Sequence, residues 1–253
     1  MKTKHIRQAQ CKLVHEIRAV KNKKELASLI KAQRISERVL TDAVKKLKEG
    51  ISELEIANFI KKSFAKHGAP ILAFPPIVAF GKNTANIHHE PTGSKLKKGD
   101  TVMFDIGCTV NHYCSDMTRT YFFGKKDNKT SAKQRKIYIM VEKAQEMAVK
   151  KLQKGERRAK VIDKTARNFL AKKYKNNFKH GLGHGVGTVI HEWPFFGPKS
   201  EDTIPAGCVM TVEPGIYLKG FGGVRIEDMY LITKKSCKKM TNVPSSLKSA
   251  ILR

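Results

Sequence analysis

Residues 101–123 read TVMFDIGCTVNHYCSDMTRTYFF, and the placement of their two aspartates decides how the chain is read. Residues 101–107 and 117–123 are apolar, β-branched and aromatic, the composition of two strands, and 109–112 read as the turn that joins them. Asp105 and Asp116 lie symmetrically about the bond between Val110 and Asn111. Residues so placed across a hairpin oppose each other on one face, with Cβ atoms roughly 4.5–5.5 Å apart. Two carboxylates held that close repel, and a cation between them removes the penalty.

The same arithmetic returns downstream. Glu213 and Glu227 are symmetric about Gly220, inside the turn LKGFGG, and 208–218 and 224–233 again read as strands. Between the hairpins the glycine-rich segment HGLGHGVGTVIHEWP (180–194) contributes His184. Four carboxylates and one imidazole form a harder ligand set than a zinc finger, and carboxylates can bridge two ions. A solvated hairpin face is the simpler reading of either acidic pair alone. Two symmetric pairs in one chain, flanking histidine motifs, argue for two metal ions side by side.

The segments SDMTRTYFFG (115–124), HGLGHGVGTVIHEWP, TVEPGIY (211–217) and GVRIED (223–228) resemble the pita-bread metallopeptidases, which include methionine aminopeptidase, aminopeptidase P, prolidase and creatinase. They are most similar to the Xaa-Pro branch, and the likeness runs from about residue 22 to 233. The resemblance implies an α+β pita-bread fold: a curved antiparallel sheet backed by helices, in pseudo-two-fold halves. It implies Asp105, Asp116, His184, Glu213 and Glu227 as metal ligands, with Asp116 and Glu227 bridging and Glu213 also carrying the proton of the nucleophile. His88, in GKNTANIHHEPT, then lies beside the scissile peptide, and His191 stabilises the tetrahedral intermediate. His180 lines the substrate pocket, Arg225 orients the carboxylates from behind, and His89 reads as a loop residue.

The implied activity is hydrolysis of the N-terminal Xaa-Pro bond of peptides with a free N-terminus, as aminopeptidase or dipeptidase, by a hydroxide held between two divalent ions. Mn2+ is the expected metal; Co2+, Fe2+ and Zn2+ suit the same ligands. Methionine removal from nascent chains is the alternative, because it uses the same ligands with a different pocket. A non-catalytic relative binding RNA or the ribosome is the third reading, and five intact ligands speak against it. Creatinase-like chemistry needs no metal, and the same ligands argue against that too.

At 253 residues the chain is expected to be one catalytic domain, 1–253. Only some 20 residues precede the first long helix, so a separate N-terminal domain of the creatinase type is expected to be absent, and monomer and homodimer both stay open. There is no 18-residue apolar run for a membrane span and no apolar core for a secretory signal. Five cysteines without a CxxC pair suit a reducing cytoplasm. The net charge of +28 comes from 39 lysines and 11 arginines against 22 acidic residues. Dispersed cations of this number attract nucleic acid or ribosomes. A lysine-rich proteome is the preferred explanation. Only KKYKNNFK (172–179) interleaves aromatics with lysine, and arginine, the better phosphate fork, is scarce.

Helical spacing covers 21–48, opened by an Asn22…Glu25 capping pair and closed by Gly50. Ser52 with Glu55 repeats the capping signal, and Ile56, Ile60 and Phe64 form a core stripe that runs up to Gly68. Prolines make 69–80 an extended entry to a strand, and helices are expected at 132–153 and 158–174, split by Gly155. A helix pair followed by a carboxylate hairpin therefore occurs twice, at 22–123 and 130–233. The tail after Thr233 is expected to pack loosely or end in a short helix, and 1–20 suit strand or helix equally.

Overall fold

Asn22 opens helix α1 (Lys23–Lys46) with a complete capping box: its side chain accepts from Lys24 and Glu25 N–H, and Glu25 reaches back to its own N–H. Ser52 and Glu55 do the same for α2 (Glu53–Lys66). The computed structural model describes residues 13–124 and 129–252. Leu40, Ile56, Ile60 and Phe64 of this helix pair pack on Val78, Val102 and Phe104 of the first sheet. That sheet holds β1 (Ile77–Phe80), β2 (Thr101–Ile106) and β5 (Met117–Phe123), with the small ladder β3 (Thr109–Val110) and β4 (Tyr113–Cys114) at the hairpin tip.

The second half repeats the plan. Helices α3 (Lys129–Gln153) and α4 (Ala159–Tyr174) bury Tyr138, Val141, Ile162 and Leu170 against Met210 and Ile226. Here the strands are β6 (Gly183–Gly185), β7 (Glu192–Phe196), β8 (Val209–Val212), β9 (Gly215–Leu218), β10 (Gly222–Arg225) and β11 (Asp228–Ile232). With β12 (Cys237–Lys239) they form a sheet ordered β12-β11-β8-β6-β7 and the hairpin β9-β10. This is the α+β, two-halved pita-bread architecture that the motifs imply.

One local expectation needs correction. The first hairpin pairs Asp105 with Thr118, not with Asp116. Its reversing residues are Asn111 and His112, both left-handed (φ 48° and 68°), which moves the centre one residue later than the count assumes. Asp105 and Asp116 are therefore diagonal neighbours. The second hairpin does run symmetrically about Gly220, as Leu218↔Gly222 and Val212↔Asp228 show.

Of the two forms expected for the tail, the structure has the second. It ends in a short helix, α5 (Leu247–Ala250), and β13 (Ile251–Leu252), which pairs parallel with β5. Met240, Thr241 and Ala250 are buried, and the fully buried Arg119 donates to the carbonyls of Val243 and Pro244. At the other end, 13–19 is helical; residues 1–12 lie outside the described residues.

Candidate metal centre

Each acidic hairpin interrupts its ladder where the ligand candidates sit. The first leaves β2 at Ile106 and resumes at Thr109; the second breaks between Val212 and Gly215 and between Arg225 and Asp228. Glu213 N–H then donates to Leu182 O and Glu227 N–H to Thr118 O, so both backbones lean toward neighbouring strands. Two close approaches require glycine. A Cβ on Gly107 would lie 2.1 Å from Ser115 O, and one on Gly183 would lie 2.2 Å from Thr211 O. The second contact lets β6 press onto β8 and carry His184 in beside Glu213.

His184 Nδ1 donates to Gly185 O at 3.1 Å, so Nε2 faces the cluster, 3.2 Å from Glu213 Oε1 and 3.6 Å from Asp116 Oδ2. Ligand atoms of Asp116, His184 and Glu227 all lie within 4.8 Å of one another. Arg225 Nη2 donates to Asp105 Oδ2 at 2.6 Å and its Nε to Thr118 Oγ1 at 3.0 Å. The Thr118 hydroxyl in turn donates to Glu227 Oε2 at 2.7 Å. Thr211 Oγ1 donates to Glu213 Oε1 at 3.2 Å while accepting from His184 N–H.

The electrostatics call for cations. Burial first, and then the Glu227 and Asp105 charges, push the Asp116 carboxyl well above the usual range. Burial and the Glu213 and Asp105 charges do the same to Glu227. Asp105 is also raised, by burial, although Arg225 opposes the shift. Glu213 goes the other way: burial pulls it up, but the hydrogen bond and charge of His184 outweigh it. Asp105 Oδ1 is buried without a hydrogen-bond partner. A buried acceptor left open, an imidazole nitrogen aimed at carboxylates and acids that repel one another fit divalent ions. The ligand set is mostly hard oxygen.

These groups line a cavity of about 580 Å3 with His88, His180 and His191, and apolar side chains such as Phe74, Ile87 and Phe195 form its walls. The His191 ring stands edge-on to His184, 4.4 Å between centroids. His180 Nδ1 donates to Gly181 O, and its Nε2 lies 2.8 Å from the Tyr217 hydroxyl, which also accepts from Arg225 Nη1.

All nine candidate residues thus reach one cavity. Thr118, Tyr217 and Thr211 support them without having been singled out by sequence. All three lie inside or beside quoted motifs, but nothing in a linear string marks which hydroxyl turns toward a carboxylate.

His89 is also more than a loop residue. Its Nε2 lies 2.8 Å from Glu53 Oε2. Fully buried at the start of α2, Glu53 also accepts from Phe80 N–H, Asn83 Nδ2, Thr92 N–H and Thr92 Oγ1. One carboxylate therefore anchors the 80–92 segment that carries His88.

A buried carboxylate–imidazole cluster at the junction of two helix-backed half-sheets defines a pita-bread metal-site protein. Metallopeptidase family M24 matches residues 27–234, and the chain belongs to that family. It is 37% identical over 236 residues to an Xaa-Pro dipeptidase of Pyrococcus horikoshii, covering 93% of this chain and 66% of that protein. The solved prolidase of the same organism superposes with a TM-score of 0.88 at 37% identity, covering 93% of this chain and 67% of that one. An X-Pro aminopeptidase from Thermotoga maritima gives 0.87 at 34%, covering 93% and 66%. The chain thus spans about two thirds of the length of the relatives it matches. Membership implies divalent metal ions. No described helix is long and apolar enough to cross a membrane.

Proposed function

We propose that the chain is a two-metal exopeptidase that releases the N-terminal residue of peptides with proline second. The observation that carries this is the convergence of Asp105, Asp116, His184, Glu213 and Glu227 in one cavity with apolar walls. Bound divalent ions would supply Lewis acidity and a water made nucleophilic near neutral pH. Of the suitable ions, Mn2+ agrees best with four carboxylates and one imidazole.

The residues divide the remaining work. Glu213, held by Thr211 and His184, accepts the nucleophile's proton and returns it to the leaving amine. His191, whose pKa is lowered by burial and by His184, stays a neutral N–H donor for the developing oxyanion. His88 binds the substrate beside the scissile bond, and His180 shapes the pocket wall. Arg225 neutralises Asp105 and fixes its free oxygen in place. Phe74, Ile87 and Phe195 exclude water and give a proline ring an apolar seat.

The test is a metal-reconstituted assay with Mn2+, Co2+, Fe2+ or Zn2+ on Ala-Pro, Ala-Pro-Ala and Met-Ala-Ser. Proline-second peptides should be cut, Met-Ala-Ser spared, and chelator should abolish turnover. His191→Ala should lower kcat by roughly 10²–10³-fold, and Asp116→Ala should remove activity. Preference for Met-Ala-Ser would replace this reading with methionine removal. Salt-sensitive retention on RNA that persists in chelator, without hydrolysis, would replace it with a binding role.

A further inference from the structure

Lys21 lies outside the family-matched segment, yet its side chain is only 1% exposed and its ammonium contacts the Glu192 carboxylate, itself 8% exposed. Glu192 follows His191 directly in the chain. Its other oxygen, Oε2, has no hydrogen-bond partner, and Arg18 Nη2 stands 3.5 Å from it. Lys21 N–H donates to Gly207 O at 3.0 Å, which anchors the cation from behind. Arg18 also donates to Thr188 Oγ1 at 2.8 Å, on the same turn.

The turn between His184 and Glu192 is folded around this carboxylate. A Cβ on Gly187 would lie 2.4 Å from both Glu192 oxygens, so the backbone rests directly on them. Gly187 is itself pinned, accepting from Cys114 N–H and donating to Val189 O. The His191 ring is thereby set against His184. A buried carboxylate that loses its buried counter-charge and keeps only the half-exposed Arg18 is left poorly compensated, and its rearrangement moves the backbone that leans on it.

We propose that Lys21 is a positioning residue for the reaction: by holding Glu192 it fixes the 187–191 turn and the orientation of His191. The proposal rests on the role given to His191 above. Displacing a reacting group by about 1 Å costs up to ~10²-fold in rate, so the effect belongs in kcat and not in metal or substrate binding.

The experiment uses the full, metal-loaded chain carrying Lys21→Met, Lys21→Arg or Lys21→Met with Glu192→Gln, each with and without His191→Ala. Lys21→Met should lower kcat roughly 10- to 100-fold with KM within about twofold and metal content unchanged. The charge-neutral double variant and Lys21→Arg should recover part of the loss. In the His191→Ala background Lys21→Met should add less than about twofold. An equal loss in both backgrounds overturns the proposal.

The ring 15N resonances of His191 give a second readout that needs no turnover. They should shift or split in Lys21→Met while those of His88 stay in place, and an unchanged His191 spectrum overturns the proposal. If the wild type cleaves no peptide, the peptidase reading fails by itself and these spectra still decide the positioning role. If Lys21→Met does not fold, Glu192→Gln decides by the same cycle and spectra: its loss should vanish once His191 is alanine.

Discussion

Burial and mutual repulsion push the carboxyls of Asp116 and Glu227 upward, so protons compete with divalent ions for these acids. The sign follows for both affinity and stability. Metal affinity should climb as pH rises, because fewer protons then have to leave. Acids with folded-state pKa values above their unfolded ones stabilise fully below the ordinary carboxylate range, and lose that contribution as pH rises through the raised values. In chelator, the urea midpoint should therefore fall with rising pH, and Asp116→Asn should flatten the slope. Mn2+ titration calorimetry in buffers of different ionisation enthalpy should register net proton release. Buffer-independent heats would rule this picture out. At this scale much is legible in sequence, since carboxylate spacing and glycine-flanked histidines mark the proposed ligands. Orphaned Asp105 Oδ1 and the Thr118 relay are not legible, because they depend on which face each strand turns inward.

The 80–92 segment is held by one side chain on a different element, which gives α2 a role beyond packing. Burial pushes the Glu53 carboxyl up, but hydrogen bonds from His89, Asn83, Thr92 and the Phe80 N–H outweigh it and leave its pKa below the usual value. Such a group stabilises fully above its unfolded pKa and loses the contribution as pH falls through the folded one. Glu53→Gln should cost about 1.5–3 kcal/mol at pH 7, the size of a charged hydrogen bond, and the gap to wild type should narrow toward pH 4. Urea midpoints of both proteins across that range check it; a gap that stays constant would show that charge is not what the five donors seek. The variant should also raise KM for Ala-Pro-Ala, because His88 rides on the freed segment. Elements that announce themselves locally, such as the capping boxes at Asn22 and Ser52, are legible in sequence. The strand β13 is not, because it is formed by the edge of β5. The hairpin centre is misjudged by one residue for a similar reason: Asn111 and His112 both adopt left-handed turn conformations, uncommon outside glycine.

The two halves meet at the ligands, so metal binding should act on the stability of the whole molecule and not on one sheet. Asp105 and Asp116 come from the first half, while His184, Glu213 and Glu227 come from the second. The protein's own cross-links there include Arg225 to Asp105, Thr118 to Glu227, and Arg119 to Asp228 at 2.5 Å. The two larger apolar cores belong largely to their own halves, while smaller clusters join them: Leu29 and Cys114 with Val186, Val209 and Met229, and Ala79 and Met103 with Tyr217. Ions liganded from both sides would couple the halves by mass action, about 2.7 kcal/mol with free metal at 100 times the dissociation constant. Chelator should then lower the thermal midpoint and loosen both hairpins together, seen as faster amide exchange in 102–106 and 118–122 as well as in 209–212 and 228–232. Refilling with Mn2+ should restore protection in both. Faster exchange in only one half would mean that the ligands do not share a centre, and the two-metal reading would fall with it. The net charge of +28 sets a background for this measurement. Self-repulsion among lysines is screened by salt, so apo and metal-loaded midpoints should both rise between about 20 and 200 mM salt while their difference, set by buried groups, changes little.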